Sequence, residues 1–169
     1  MPPGVKGIAH PGEGFFIEDA AGLGRARPEL LEWYAYWCEL CARSGGLPCR
    51  NMIQPDKIPH LLPHFRIVDL FEDGQMMPRC RLAGAVVNQL AGMEITGKYY
   101  RDIYDADTYQ LLLDIYARIV ERRLPYYLRA AAMFPGRDFI NAERLIMPFG
   151  DESGAVVTVG GVTVLLDAA

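Results

Sequence analysis

The reactive side chains of this 169-residue chain are four cysteines, three histidines and a scatter of arginines and tyrosines among apolar runs. Cys38 and Cys41 form a C-x-x-C, with Cys49 and His60 downstream, a set of residue types that can hold a metal or form a dithiol. The pair falls near the end of a helical pattern, without a second C-x-x-C and without a thioredoxin-like strand–helix junction. Two thiols three positions apart supply half of a tetrahedral set, so no metal is expected. Cys41 also completes an apolar stripe, and both thiols read as ordinary reduced cysteines. Ser44 and Ser153 sit in Gly-rich turns, outside any G-x-S-x-G context. No G-x-G-x-x-G or Walker-type loop offers a phosphate cradle. The expectation is a domain that binds and does not catalyse.

Arginines and tyrosines remain as candidate ligand contacts. Arg81 and Arg144 lie on strand-like segments, where an unpaired guanidinium is costly to bury. Each must pair with a carboxylate such as Asp69, Glu94 or Glu143, point to solvent, or meet a ligand. Asn88 and the tyrosines at 99, 100, 104 and 116 can present polar tips to an apolar cavity. The set expected to converge is Arg81, Asn88, Tyr104, Tyr116 and Arg144.

The elements that must position these residues are legible from periodicity. Residues 1–27 are rich in Gly and Pro and read as a tail, with a small apolar knot at Phe15, Phe16 and Ile17. A helix is predicted over 28–43, started by Pro28 and ended by Ser44-Gly45-Gly46. Leu30, Trp33, Tyr34, Trp37, Leu40 and Cys41 form its apolar stripe, opposite Glu29, Glu32, Glu39 and Arg43. So aromatic a stripe must bury against the chain's own core or against a second copy. Self-association through Leu30, Trp33, Tyr34, Trp37 and Leu40 is the expectation.

Four prolines between positions 48 and 63 prevent a regular element there. Strands are expected at 65–71 and 79–82, a short helix at 84–90 stopped by Gly92, and a loop through 96–100. A long helix over 107–123 follows, capped by Asp105 or Asp107 and ended before Pro125. Its inner face is Leu112, Ile115, Tyr116, Ile119 and Val120. Strands at 126–134, 139–149 and 155–166 close the chain, the last two joined by a Gly150–Gly154 hairpin. Gly160-Gly161 inside the last strand marks a close approach to the backbone, by a ligand or by a packed tryptophan or tyrosine. Hairpin-linked strands pair antiparallel, giving an α+β sheet covered by helices.

This order and several local runs resemble the PAS superfamily, and specifically a group of short stand-alone bacterial PAS proteins mostly without assigned function. Asp56-Lys57-Ile58-Pro59-His60-Leu61-Leu62-Pro63-His64 resembles that group's D-x-I-P-x-L-L-P-H run. Cys80-Arg81-Leu82-Ala83-Gly84 resembles its Y-R-L-x-G, and Gly92 to Lys98 its G-x-x-x-T-G-[KR] turn. Glu143-Arg144-Leu145-Ile146-Met147-Pro148 resembles its E-R-L-x-x-P strand. The resemblance runs from about residue 28 to the end. It implies a PAS-like five-stranded antiparallel sheet with helices on one face, a pocket between them, and an N-terminal flanking helix. Cys80 is similar in setting to the reactive cysteine of flavin-binding PAS photoreceptors, but the asparagine and glutamine that would hold a flavin are missing. The helix over 107–123 carries no histidine for a haem; His10, His60 and His64 all precede or open the first strand, and His64 is expected to fix its entry by a hydrogen bond. No cofactor is expected.

Function does not follow from such a fold alone. A net charge of −4 lacks the basic face that nucleic acid requires. No apolar run approaches the ~20 residues of a bilayer span, and the N-terminus is not a leader, so a cytoplasmic address is expected. The first functional expectation is a sensory domain that binds an unknown small molecule and signals, as a homodimer, to a separate protein. The second is a ligand-free dimerisation module, and the third a thiol redox protein using Cys38 and Cys41.

Overall fold

A computed structural model describes residues 12–137 and 140–166. His10 and Phe139 therefore lie outside the described residues. Six strands form one antiparallel sheet: β1 (Glu13–Phe16), β2 (Phe65–Glu72), β3 (Gln75–Ala83), β4 (Tyr126–Ala131), β5 (Asn141–Gly150) and β6 (Val156–Leu165). Their spatial order is β1-β4-β5-β6-β2-β3. Among the described residues four α-helices accompany them: α1 (Pro28–Ser44), α2 (Ala85–Ala91), α3 (Tyr100–Ile103) and α4 (Ala106–Arg122). The Pro-rich segment between α1 and β2 forms three short 3-10 turns.

The α+β class and the PAS-like layering are as expected, with two corrections. The sheet has six strands, because Glu13–Phe16 pairs with the edge of β4. Phe15 and Phe16 pack their rings against Tyr127 and Tyr126, and Ile17 and Leu23 are buried, so part of the supposed tail belongs to the core. Helices also cover both faces. On one face α2, α3 and α4 pack on Val68, Leu128 and Ile146; on the other, α1 packs on Phe65, Leu145 and Phe149. A sheet with both faces buried needs two helical layers.

The α1 stripe is the second of these layers. Leu30, Trp33, Trp37 and Leu40 are buried within the chain, and Tyr34 is partly covered. Trp33 Nε1 donates to Gly160 O (3.3 Å) and Trp37 Nε1 to Pro148 O (3.0 Å). A second copy cannot reach these side chains without displacing α1. The first of the two glycines has its explanation here: a Cβ on Gly160 would meet Phe149 at 3.1 Å and Trp33 at 3.3 Å. Packed aromatic rings make the close approach.

Local rules position the other face. Asp105 caps α4, accepting from Thr108 N (2.8 Å), and Arg123 closes it in the left-handed region at φ 59°. Gly84 opens α2 where any Cβ would strike the Leu62 and Pro63 carbonyls, which locks α2 to the entry of β2. His64 Nδ1 lies 2.9 Å from Thr163 O and ties the same entry to β6, as expected.

Candidate functional site

Strand alternation decides which side chains face α3 and α4. On β2, Arg66 shares a face with Val68 and Leu70; on β5, Arg144 shares one with Ala142 and Ile146. Both guanidiniums therefore enter the helix-covered core, where Arg66 is 1% and Arg144 8% exposed. Tyr100 on α3, Tyr104 just after it and Tyr116 on α4 converge on Arg66 from the helical layer. Arg66 Nη1 donates to the Tyr100 and Tyr104 hydroxyls, each at 3.0 Å. The Tyr100 and Tyr116 ring centroids are 6.0 Å apart. Phe134 stacks on Tyr104 and lies 5.3 Å from the Arg66 guanidinium carbon.

No carboxylate of the described residues balances the charge here. Burial pushes the Tyr100 and Tyr104 phenols upward, with Arg66 opposing, so they stay neutral at physiological pH. Burial also disfavours the charge on Arg66, but the three phenols outweigh it and hold the guanidinium above its usual value. Among the described residues the ion pairs are His60–Glu32, Arg81–Asp69 and Arg122–Glu18, and none involves Arg66 or Arg144. Arg144 donates no hydrogen bond among the described residues. The Nε atoms of Arg66 and Arg144 and the hydroxyls of Tyr116 and Thr163 are buried without a partner. Isolated buried charges cost several kcal/mol each, so an uncompensated pair is rare in a finished core.

A cavity of about 20 Å³ borders Arg66, Tyr104, Phe134 and Arg144. Ala130 on β4, Ala142 beside it on β5 and Ala132 just past the end of β4 line it with small side chains. It has room for little more than one water.

The structure brings only part of the expected set together. Tyr104, Tyr116 and Arg144 come together. Arg81 does not join them: it projects from edge strand β3 to solvent, with Nε 2.8 Å from Asp69 Oδ2. Asn88 is a turn brace, donating to Ala83 O and Glu94 and accepting from Ile95 N. Arg66, which the expected set lacks, and Tyr100 complete the cluster. Cys80 is buried on β3 with Sγ donating to Leu82 O (3.4 Å) and does not line the cavity. Among the described residues no three His, Cys, Asp or Glu side chains converge on a point.

A family model described as "PAS domain" matches residues 25–164. The chain belongs to the PAS domain family. No curated protein matches the sequence. Solved structures similar to this PAS domain include the blue-light photoreceptor Aureochrome1 LOV domain, at 14% identity and TM-score 0.43, covering 66% of this chain and 88% of that one. A Rhodobacter sphaeroides LOV protein is 20% identical, with TM-score 0.44 and coverages of 68% and 67%. The PAS domain of histidine kinase ThkA is 19% identical, with TM-score 0.39 and coverages of 61% and 98%. Among the described residues of this PAS domain, no helix is long and apolar enough to cross a membrane.

Proposed function

We propose that this PAS domain is a sensory or regulatory module that holds a small molecule between its sheet and its α3–α4 layer. One observation carries the reading: unpartnered donors on Arg66, Arg144 and Tyr116 gather in the layer that holds the cavity. Convergent polar groups in an apolar wall are what orient a bound ligand. The β5 dipeptide supplies a route outward. Arg144 faces the cavity, while its neighbour Glu143, on the other face, accepts from Arg27 N (3.1 Å) at the start of α1. Occupancy that shifts β5 reaches α1, and from there a separate signalling protein.

Denaturing extraction of the purified protein followed by mass spectrometry tests this. Wild type should release a small molecule near one per chain, and Ala142→Leu, which fills the cavity, should release none. An identical profile from both proteins would remove the pocket from the reading. The small size of the cavity favours a second reading, a ligand-free interaction module whose pocket is filled by its own rings. An empty wild-type extract, with a stable dimer in light scattering, would favour that module.

A further inference from the structure

We propose, resting on the pocket reading above, that the occupant is a small organic carboxylate whose head group is shared by Arg66 and Arg144. Both guanidiniums border one cavity, both are more than nine-tenths buried, and no carboxylate of the described residues pairs with either. The Tyr116 and Thr163 hydroxyls are also buried and unpartnered, and each can donate to an anionic oxygen. A guanidinium fork matches a carboxylate with two parallel hydrogen bonds, so one anion can satisfy donors that the protein leaves open. Thr163 sits directly across the β5–β6 ladder from Arg144, so its hydroxyl lies on the same face of the sheet as that arginine.

The remaining wall selects among anions. Leu90, Leu128, Met133 and the alanines are apolar, and Phe134 presents a ring face. Inorganic phosphate or sulfate would set charged oxygens against these groups. A carboxylate on a short aliphatic or aromatic body would not. The cavity is smaller than such a body, so Phe134, which lies over Arg66, must swing off the guanidinium as the acid enters.

Thermal unfolding at constant ionic strength tests the class, with benzoate, butyrate, benzamide, butyramide and inorganic phosphate as probes. The acids should raise the melting temperature with increasing concentration, while the amides and phosphate leave it unchanged. Arg144→Met should melt higher than wild type without ligand, because it removes an uncompensated charge and breaks no hydrogen bond. The same variant should lose the response to acids. Arg144→Lys, which keeps the charge but not the fork, should retain a weakened response. Arg81→Gln should respond like wild type. Amides as effective as acids, or a neutral molecule in the extract, would overturn the anionic class and leave the pocket standing. No response to any probe together with an empty extract would overturn both. A fall in the melting temperature of Arg144→Met would show a structural arginine and also overturn the proposal.

Discussion

Arg81 and Arg144 are both strand arginines, and the pleat gives them opposite environments. Arg144 shares a face with Ala142 and Ile146 on a central strand, so it is buried, with 8% exposure. Arg81 lies on edge strand β3 beside the inward Cys80, so it points out and pairs with Asp69. The same alternation was available for Arg66, which shares an apolar period with Val68 and Leu70 in the sequence. A charge at an inward position is a stronger sign of a site than a tyrosine on a helix face. What alternation could not show was whether a carboxylate would meet it, since that depends on which strands are neighbours. Cys80 gives a prediction at this scale. Burial pushes its thiol to about 11, against a partial pull from Arg66, and burial pushes Cys41 to about 11 as well, helped by Cys38. Both values lie above those of the unfolded chain, so the stability they contribute is complete below about pH 9 and is lost as pH rises towards about 11. Urea midpoints should fall across that window, less so in Cys80→Ala. Iodoacetamide at mildly alkaline pH should label Cys80 only after denaturation; rapid labelling of the native protein would contradict the burial.

At the scale of elements, the instructive case is α1. Its stripe was legible from Leu30, Trp33, Trp37 and Leu40 at helical spacing, because periodicity reports that a face is buried. It does not report against what. A sheet imagined with helices on one face left its other side bare, and that side is where α1 sits. Two tryptophans suit the role because each indole N–H reaches a strand carbonyl across the layer, at Gly160 and Pro148. Trp33 meets Phe65 edge-on at 4.8 Å and stacks on Phe149 at 6.0 Å. Trp33→Ala should therefore cost about 3–5 kcal/mol of folding stability. Its mass by light scattering should match wild type at every concentration where it is folded. Gly160→Ala should destabilise through the same contact, since Trp33 or Phe149 must give way. A Trp33→Ala protein that kept wild-type stability but changed its oligomeric mass would restore the stripe to an interface role.

For the whole molecule, the order of elements could be read from turns, caps and Pro breaks, and the β5–β6 hairpin from Gly150–Gly154. The strand order could not, because β1 hides in a Gly-rich segment that becomes a strand only where β4 offers an open edge. The consequence for function lies in how the two cores connect. The helix-covered cavity and the α1 layer occupy opposite faces of one sheet, and β5 borders both through consecutive residues. Glu143 is 2% exposed, holds the first turn of α1 through Arg27 N, and lies against the Tyr127 phenol, which burial and this carboxylate push up to about 12. Arg144, one residue on, faces the cavity. On the pocket reading, a ligand that draws on Arg144 disturbs the peptide that positions Glu143, and among the described residues no other strand joins an inward arginine directly to a residue hydrogen-bonded to α1. Glu143→Ala should cost about 1–3 kcal/mol by leaving the Arg27 amide without its acceptor. Its effect on signalling is the sharper test. Hydrogen exchange in the first turn of wild-type α1 should slow when benzoate is bound, and that change should vanish in Glu143→Ala while protection around Arg144 persists. Protection confined to the cavity strands of wild type, with α1 unaffected, would mean that the bound state does not reach α1 through β5.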